Sequence, residues 1–494
     1  MTFLGLLVVT LTSVGQENPF LDRTYWRNNP TIADIDQKIA EGHDVSASTG
    51  AAFDAVSWAL IEKTDNTTIK YLLSKKGNNV NKLTHDKRTY IFWAAYKDNL
   101  PMMQYLLDNG AKTDIIDSHG YSLMNFAAAT GQLNTKIYNF CLEHGADPSK
   151  EKNHDGANVL LLVAPFIKDT SLIEYFIKNG VNLRSTDNNG NGIFNYAAKA
   201  GNIQLMDYLI KQGLPYKDPV KDGSNAMIFA SRGTRGVTNT LETFKYLERL
   251  GISPNVVTKN GNTPLHSIAY RGKDIDIFKY FLSKGVNINQ ADDQGNTPFL
   301  NAALFNKLEI VQYLSPFVSN LNIQNKEGLT ALTNALRRNS VDVVTFLLEK
   351  GADVNVKDAK GNNLVYHLIR SYKSKNFDVF IEKIKLLAAK GLDITQHQKD
   401  GNSLFHLALE TSDLKLLKWV DISKVDINVK NDEGLTALHK AAMIATDDVV
   451  LKYLLSIGAD KNIKTTFEES AYDLAAENEL LQQSNTNIQF LKEP

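Results

Sequence analysis

The stretch Lys259-Asn260-Gly261-Asn262-Thr263-Pro264-Leu265-His266 decides the fold, because close copies of it return along the chain. Gly295-Asn296-Thr297-Pro298-Phe299 and Gly434-Leu435-Thr436-Ala437-Leu438-His439 keep its order of glycine, threonine and apolar residues. A glycine begins such a motif at ten places: Gly120, Gly156, Gly190, Gly223, Gly261, Gly295, Gly328, Gly361, Gly401 and Gly434. Their spacing is 33 to 40 residues and most often 33 or 34. A period of this length indicates an array of structural repeats.

Each part of the motif has a physical role. Glycine suits a turn that needs a positive φ, which costs other residues about 1 kcal/mol or more. Thr263 suits a helix N-cap, and Pro264 suits the first helical position. Alanines such as Ala302 and Ala303 let the first helix of one repeat approach the next, while a second helix supplies bulk at helical spacing. Helices this short are marginal in water, so we predict that stacking stabilises them.

Weaker copies extend the series at both ends. We place Thr49, Arg88 and Glu468 at the glycine position of three further repeats. Tyr25-Trp26 and the apolar residues that follow them predict an N-terminal helix pair. These marks predict about fourteen helix pairs, with an N-terminal capping repeat over 16–48, a repeat array over 49–467 and a C-terminal capping repeat over 468–494. Two insertions, Arg232 to Asn239 and Ser371 to Asn376, fall between the two helices of a pair.

The chain resembles the ankyrin-repeat family from about Phe20 to its last helix. The family's Thr-Pro-Leu-His-x-Ala motif, a second helix and Gly-Ala-Asp are matched here, the last as Gly351-Ala352-Asp353. The resemblance implies an all-α solenoid of helix-turn-helix units joined by β-hairpin-like turns. It also implies a protein-binding module that uses its hairpin tips and the concave face of its inner helices. We expect one elongated, monomeric array.

Composition and the N-terminal residues bear on the class of partner and on the cellular location. The net charge of −1 gives no overall basic field, so it does not point to nucleic acid. The first fifteen residues carry no charge, and Phe3 to Leu11 has the length of a signal-peptide core, followed by Ser13-Val14-Gly15 as a cleavage site. This predicts a signal peptide over 1–15 and an exported protein of bacterial type, periplasmic or at the cell surface. The run is too short to span a bilayer. The positively charged n-region that normally begins a signal peptide is missing, so a cytoplasmic protein is the alternative.

Motifs of catalysis and cofactor binding are absent from the sequence. His266, His406 and His439 recur at one phase of the repeat, which favours the structural role that this position has in the family over a metal site. The single cysteine, Cys141, lies in an apolar run and is expected to be a buried hydrophobe. No nucleophile elbow or phosphate-binding loop is found, so we expect no cofactor, no metal and no enzyme.

Phasing the repeats on their glycines brings a candidate binding surface together. Residues six positions after a glycine include Phe126, Tyr196 and Phe229. Residues nine or ten positions after a glycine include Arg232, Tyr270, Arg271, Phe305, Arg337, Arg338 and Arg370. Aromatic and arginine side chains are enriched at binding hot spots, so we predict that these ten contact a protein partner. The alternative is that the aromatics seal joints between repeats and the arginines pair with nearby acids.

The sequence thus predicts a non-catalytic scaffold that binds another protein over several repeats. Two other functions stay open. The central arginines could bind a polyanion or nucleic acid, which would weaken steeply with salt. An enzyme that uses the insertions would need converging catalytic side chains, and the phasing supplies none.

Overall fold

The computed structural model describes residues 18–234 and 236–492. The predicted signal peptide, residues 1–15, lies outside these residues. Within them, 28 α-helices follow one another and no β-strand forms, apart from two isolated bridges. None of these helices is long and apolar enough to cross a membrane.

The helices are arranged as fourteen pairs, as predicted. In chain order they are α1 (Arg23–Arg27), α2 (Ile32–Ala40), α3 (Ala55–Glu62), α4 (Asn66–Leu73), α5 (Tyr90–Tyr96), α6 (Leu100–Asp108), α7 (Leu123–Ala129), α8 (Thr135–Glu143), α9 (Val159–Val163), α10 (Ser171–Lys178), α11 (Ile193–Ala198), α12 (Ile203–Lys211), α13 (Ala226–Arg232), α14 (Leu241–Arg249), α15 (Pro264–Arg271), α16 (Ile275–Ser283), α17 (Pro298–Phe305), α18 (Leu308–Leu314), α19 (Ala331–Arg338), α20 (Val341–Glu349), α21 (Leu364–Arg370), α22 (Phe377–Ala389), α23 (Leu404–Leu409), α24 (Leu414–Ile422), α25 (Ala437–Ile444), α26 (Val449–Ser456), α27 (Ala471–Glu477) and α28 (Glu479–Gln483). Short 3-10 helices lie at Pro19–Leu21, His85–Lys87, Ala164–Phe166, Ser315–Phe317, Ser374–Asn376 and Gln489–Leu491. Both predicted insertions fall between the helices of a pair, after α13 and after α21.

The chain divides into two compact units after Ser253, a division that the repeat pattern does not predict. Unit 1 contains α1 to α14 and unit 2 contains α15 to α28, so each holds seven pairs. Within each unit the odd-numbered helices, here called inner helices, pack side by side in chain order. The even-numbered helices are the outer helices, and several of these also contact the next one, as α18, α20 and α22 do.

The turns before the inner helices form a second line of contacts. All ten phased glycines have positive φ, between 73° and 92°. One backbone N–H of a turn donates to a carbonyl of the preceding turn, as Lys326 does to Gln294 at 2.8 Å and Ala359 to Glu327 at 2.9 Å. A Cβ on Gly328 would lie 2.4 Å from the amide nitrogen of Ala359. Glycine is therefore required twice, for its backbone conformation and for the close approach of the next turn.

The weaker copies differ from the predicted register. Glu468 has the expected positive φ of 64°, but Arg88 has a φ of −81° and the positive values fall on Asp86 and Lys87. At the N-terminal copy the positive φ of 58° belongs to Ala52 and not to Thr49. The reason is that the positive φ lies two residues before the N-cap of the inner helix. Placing Arg88 and Thr49 at the glycine position was therefore wrong by one and by three residues.

Asparagine side chains join consecutive repeats at the C-terminal ends of the inner helices. Each carboxamide donates two hydrogen bonds to carbonyls of the preceding inner helix or the residues after it, which would otherwise be unpaired. Examples are Asn306 to Ala269 and Gly272 (2.8 and 2.9 Å), Asn339 to Ala303 and Asn306 (2.9 and 2.9 Å), and Asn478 to Ala442 and Ala445 (2.9 and 2.8 Å).

In the repeat that carries the second insertion, a lysine performs this role. Lys383 extends from α22, and its buried ammonium donates to the carbonyls of Ala335, Leu336 and Asn339 at 3.2, 2.9 and 2.7 Å. Burial lowers the pKa of Lys383 to about 8. The insertion moves the start of the outer helix, and the long lysine side chain reaches the carbonyls from further along that helix.

The phased histidines have the structural role that the family resemblance implies. In His266, His406 and His439, Nδ1 accepts a hydrogen bond from the backbone N–H of the N-cap residue at 2.9, 3.2 and 3.1 Å. Nε2 lies 3.1, 2.9 and 2.9 Å from a backbone carbonyl of the next repeat, to which it donates. Because one nitrogen must accept and the other donate, the neutral imidazole fits and the imidazolium does not.

We expect Gly328→Ala to destabilise the protein by more than about 2 kcal/mol, since it combines a strained φ with a clash against the next turn. Gly351→Ala is the matched control, because Gly351 has a φ of 86° but nothing within 4 Å of a new Cβ. It should cost only about 1 kcal/mol. Urea unfolding followed by circular dichroism measures both. Equal losses would mean that the contact between turns contributes nothing.

We expect the stability of unit 2 to fall as the pH drops below 6.5. Burial lowers the pKa of His266, His406 and His439 below 6.5, so under acidic conditions the unfolded chain takes up protons that the folded chain does not. The stability is therefore complete above pH 6.5 and is lost as the pH falls toward the folded pKa values. Urea unfolding should give a lower free energy of unfolding at pH 5.5 than at pH 7.5. In His406→Gln the difference between the two pH values should be smaller. NMR of labelled histidines that gave a titration midpoint above 6.5 for these three would contradict it.

Candidate binding surface

The residues nine and ten positions after each turn glycine lie where the inner helices end. In unit 2 they form a row that we call the inner-helix strip: Tyr270, Arg271, Leu304, Phe305, Arg337, Arg338, Arg370, Glu410, Met443 and Ile444. Its aromatic members are exposed to water, Tyr270 by 36% and Phe305 by 50%. Met443 and Ile444 are exposed by 49% and 43%. Large apolar side chains are thus accessible along one end of consecutive inner helices.

The centre of the strip is an aromatic pair with an arginine. The rings of Tyr270 and Phe305 lie 5.7 Å apart between centroids, and the guanidinium of Arg338 lies 5.9 Å from the Phe305 centroid. Arg271 and Arg338 are exposed and Arg337 is half-buried. Within the described residues, none of these three arginines forms an ion pair. The strip therefore presents apolar rings beside arginines that form no ion pair in the part of the chain that the structure describes.

Arg370 differs, because the structure pairs it. Its guanidinium forms an ion pair with Glu410, and that carboxylate also contacts Lys440 at 3.1 Å. Arg370 and Glu410 line a cavity of about 310 Å³ beside the insertion after α21. Arg370 lies at the end of inner helix α21, but the Glu410 carboxylate already compensates its charge.

Three predicted surface residues lie in the core instead. Phe126, Tyr196 and Phe229 are exposed by only 4%, 5% and 3%, so the prediction that they lie on a partner-binding surface is wrong. Phe126 packs against rings of the preceding repeat, and the rings of Tyr196 and Phe229 pack at 5.4 Å. The position six residues after the glycine faces the adjacent inner helix, whereas positions nine and ten lie at the helix end.

In unit 1, Lys199 and Arg232 are among the residues at positions that match the strip. Arg232 was predicted and is exposed at the end of α13. Lys199, Glu410, Met443 and Ile444 were not predicted, although the spacing that found the arginines selects them too. They were missed because the prediction used only the central repeats and only aromatic and arginine side chains.

Nothing in the described residues forms a metal site. No group of three or more histidine, cysteine, aspartate or glutamate side chains in 18–234 and 236–492 converges on one point. Cys141 is buried as predicted, and burial raises the pKa of its thiol to about 12.

Family comparison agrees with this architecture. A model described as "Ankyrin repeats (3 copies)" matches residues 56–152, 235–317, 268–358, 299–398, 371–465 and 405–491, and a second, "Ankyrin repeats (many copies)", matches 168–210. Together they cover more than half of the chain, so the chain belongs to the ankyrin-repeat family.

Several curated proteins contain similar segments. The palmitoyltransferase AKR1 of Lachancea kluyveri is 30% identical over 170 residues, which is 33% of this chain and 22% of that protein. Alpha-latroinsectotoxin-Lt1a of Latrodectus tredecimguttatus is 36% identical over 103 residues, or 20% of this chain and 7% of the toxin. The chain thus spans less than a quarter of the length of these two relatives. Among solved structures, the human ASB11 ankyrin repeat domain matches 47% of this chain and 99% of its own, with 21% identity and a TM-score of 0.39.

We expect Phe305→Ala to change stability by less than about 1 kcal/mol, because its ring is half exposed. Phe229→Ala should cost about 3 to 5 kcal/mol, because it empties a packed site between two inner helices. Urea unfolding of the two variants measures the loss in free energy of unfolding, which should be small for the surface residue Phe305 and large for the core residue Phe229. A loss at Phe305 as large as that at Phe229 would assign Phe305 to packing and remove it from the candidate surface.

Proposed function

We propose that this protein is a non-catalytic scaffold that binds another protein through the inner-helix strip of unit 2. The observation that carries the proposal is the exposed pair Tyr270 and Phe305, with Arg338 against the second ring and Arg271 and Arg337 beside them. Exposed aromatic rings gain by leaving water, and arginines without ion pairs can form them with a partner. The partner that fits has apolar or aromatic side chains next to carboxylates.

The ankyrin fold supports the same proposal in general terms, because such arrays present a long surface built from equivalent positions of stacked repeats. A standard protein interface of about 1,600 Å² in total needs only part of it. The AKR1 relative is named as an enzyme, but the shared segment is a fifth of its length. We therefore assign no reaction to this chain.

We also propose export. The support is the uncharged start of the sequence, with an apolar run from Phe3 to Leu11 and small residues at Ser13 and Gly15. Cleavage there would release a chain that begins at Gln16. The binding proposal does not depend on the compartment, since it rests on the strip alone.

Reversing charge at the centre of the strip tests the binding proposal. Arg337→Glu/Arg338→Glu should lose a specific partner from pull-downs with the full chain, and weaken the purified complex by about 30-fold or more if these are hot-spot residues. Lys385→Glu/Lys418→Glu is the matched control, because it makes the same charge change on exposed positions of outer helices α22 and α24. The control should retain the partner.

Two outcomes would overturn the proposal. Equal recovery of every protein by wild type, strip variant and control would remove the strip from consideration. Recovery of nucleic acid that weakens steeply with added salt would favour a polyanion ligand instead. Circular dichroism of the strip variant shows whether it is folded, since glutamates in the last turn of α19 oppose the helix dipole.

A further inference from the structure

A second charged site lies in unit 1, at the ends of inner helices α11 and α13. The ammonium of Lys199 lies 4.8 Å from the ring centroid of Tyr196 and 5.3 Å from that of Phe229. The guanidinium of Arg232 lies 5.6 Å from the same Phe229 centroid. One buried ring is therefore flanked by two cations from adjacent repeats.

Neither cation has a counter-ion in the described residues. The side chains of Lys199 and Arg232 form no ion pair and no hydrogen bond there. Asp155 and Asp187 act on Lys199 only at longer range, and the Asp187 carboxylate already accepts from the hydroxyl of Tyr196 at 3.1 Å. Burial lowers the pKa of Lys199, and the like charge of Arg232 lowers it further. The two positive charges thus stay partly uncompensated.

A similar stack in the same unit shows what compensation looks like. Arg88 lies 4.4 Å from the centroid of Phe126, the ring that corresponds to Phe229 in its repeat. Its guanidinium is held by Asp117 at 2.7 Å and by Asp86 at 3.0 Å. Two carboxylates of unit 1 therefore form ion pairs with Arg88, whereas Lys199 and Arg232 form none in the described residues.

We propose that Lys199 and Arg232 together bind a carboxylate presented by an acidic side chain of a partner protein. An anion between them relieves their repulsion and completes the arrangement that Arg88 has within the chain. The attraction is stronger than in open water because Lys199 is half-buried. This inference rests on the proposed binding function, but it uses none of the arginines of unit 2, because Lys199 and Arg232 lie in two adjacent repeats of unit 1.

The test reads Lys199 directly. The full chain is treated with limiting acetic anhydride, and mass spectrometry follows acetylation of Lys199 with and without a hexaglutamate peptide. We expect the peptide to slow acetylation of Lys199 about fivefold, as a close ion pair would. Hexaglutamine is the uncharged control peptide and should give no protection. Because only the acetylation of Lys199 is measured, peptide bound at this site is distinguished from peptide bound at the inner-helix strip of unit 2.

Variants make the result specific. Arg232→Gln should abolish the protection, whereas Arg249→Gln, which removes an exposed arginine from outer helix α14, should keep it. Protection that survives in Arg337→Glu/Arg338→Glu would support this site even if the strip of unit 2 proved inactive. Equal acetylation with and without hexaglutamate would overturn the inference. Equal protection by inorganic phosphate at the same concentration of anionic groups would also overturn it, because the site would then not select a protein carboxylate.

Discussion

Contact between consecutive inner helices is the interaction on which the rest of this structure depends. The inner helices are five to eight residues long, which is below the length at which an isolated helix is stable in water. In α17 the residues Pro298 to Ala303 are all buried, so the helix is enclosed on nearly every side. Each helix is thus held by its neighbours. Removing one repeat would expose two apolar surfaces and leave carbonyl groups without donors.

That dependence explains how polar groups are used between repeats. The C-terminal carbonyls of an inner helix cannot all bond within so short a helix, and stacking removes them from water. An asparagine of the next repeat supplies the donors in a compact side chain, as Asn306 and Asn339 do. Where the insertion after α21 displaces the next helix, Lys383 supplies them at the cost of burying a charge. The need for donors is constant, and the residue that meets it varies.

The same physics sets what the sequence could predict. Gly261 and Thr263 act through local backbone geometry, so their spacing predicted the number of helix pairs and both insertions. Local signals weaken where glycine is absent, which is why Thr49 and Arg88 were placed in the wrong register. Burial depends on neighbours distant in sequence, so the repeat spacing alone places Phe126, Tyr196 and Phe229 at the surface and gives no sign of the role of Lys383. The repeat pattern also contains no local signal for the division after Ser253.

Charge compensation separates the arginines of this protein into those used by the fold and those available to a partner. Arg88 lies buried on an aromatic ring, and two carboxylates offset the cost of removing its charge from water. Arg370 is exposed, and its pair with Glu410 contributes little to stability because water screens it. Arg271 and Arg338 are solvated and have no ion pair in the described residues, so a partner carboxylate has no internal bond to break. An arginine beside an exposed ring, as Arg338 is beside Phe305, can therefore bind without first being released from the fold.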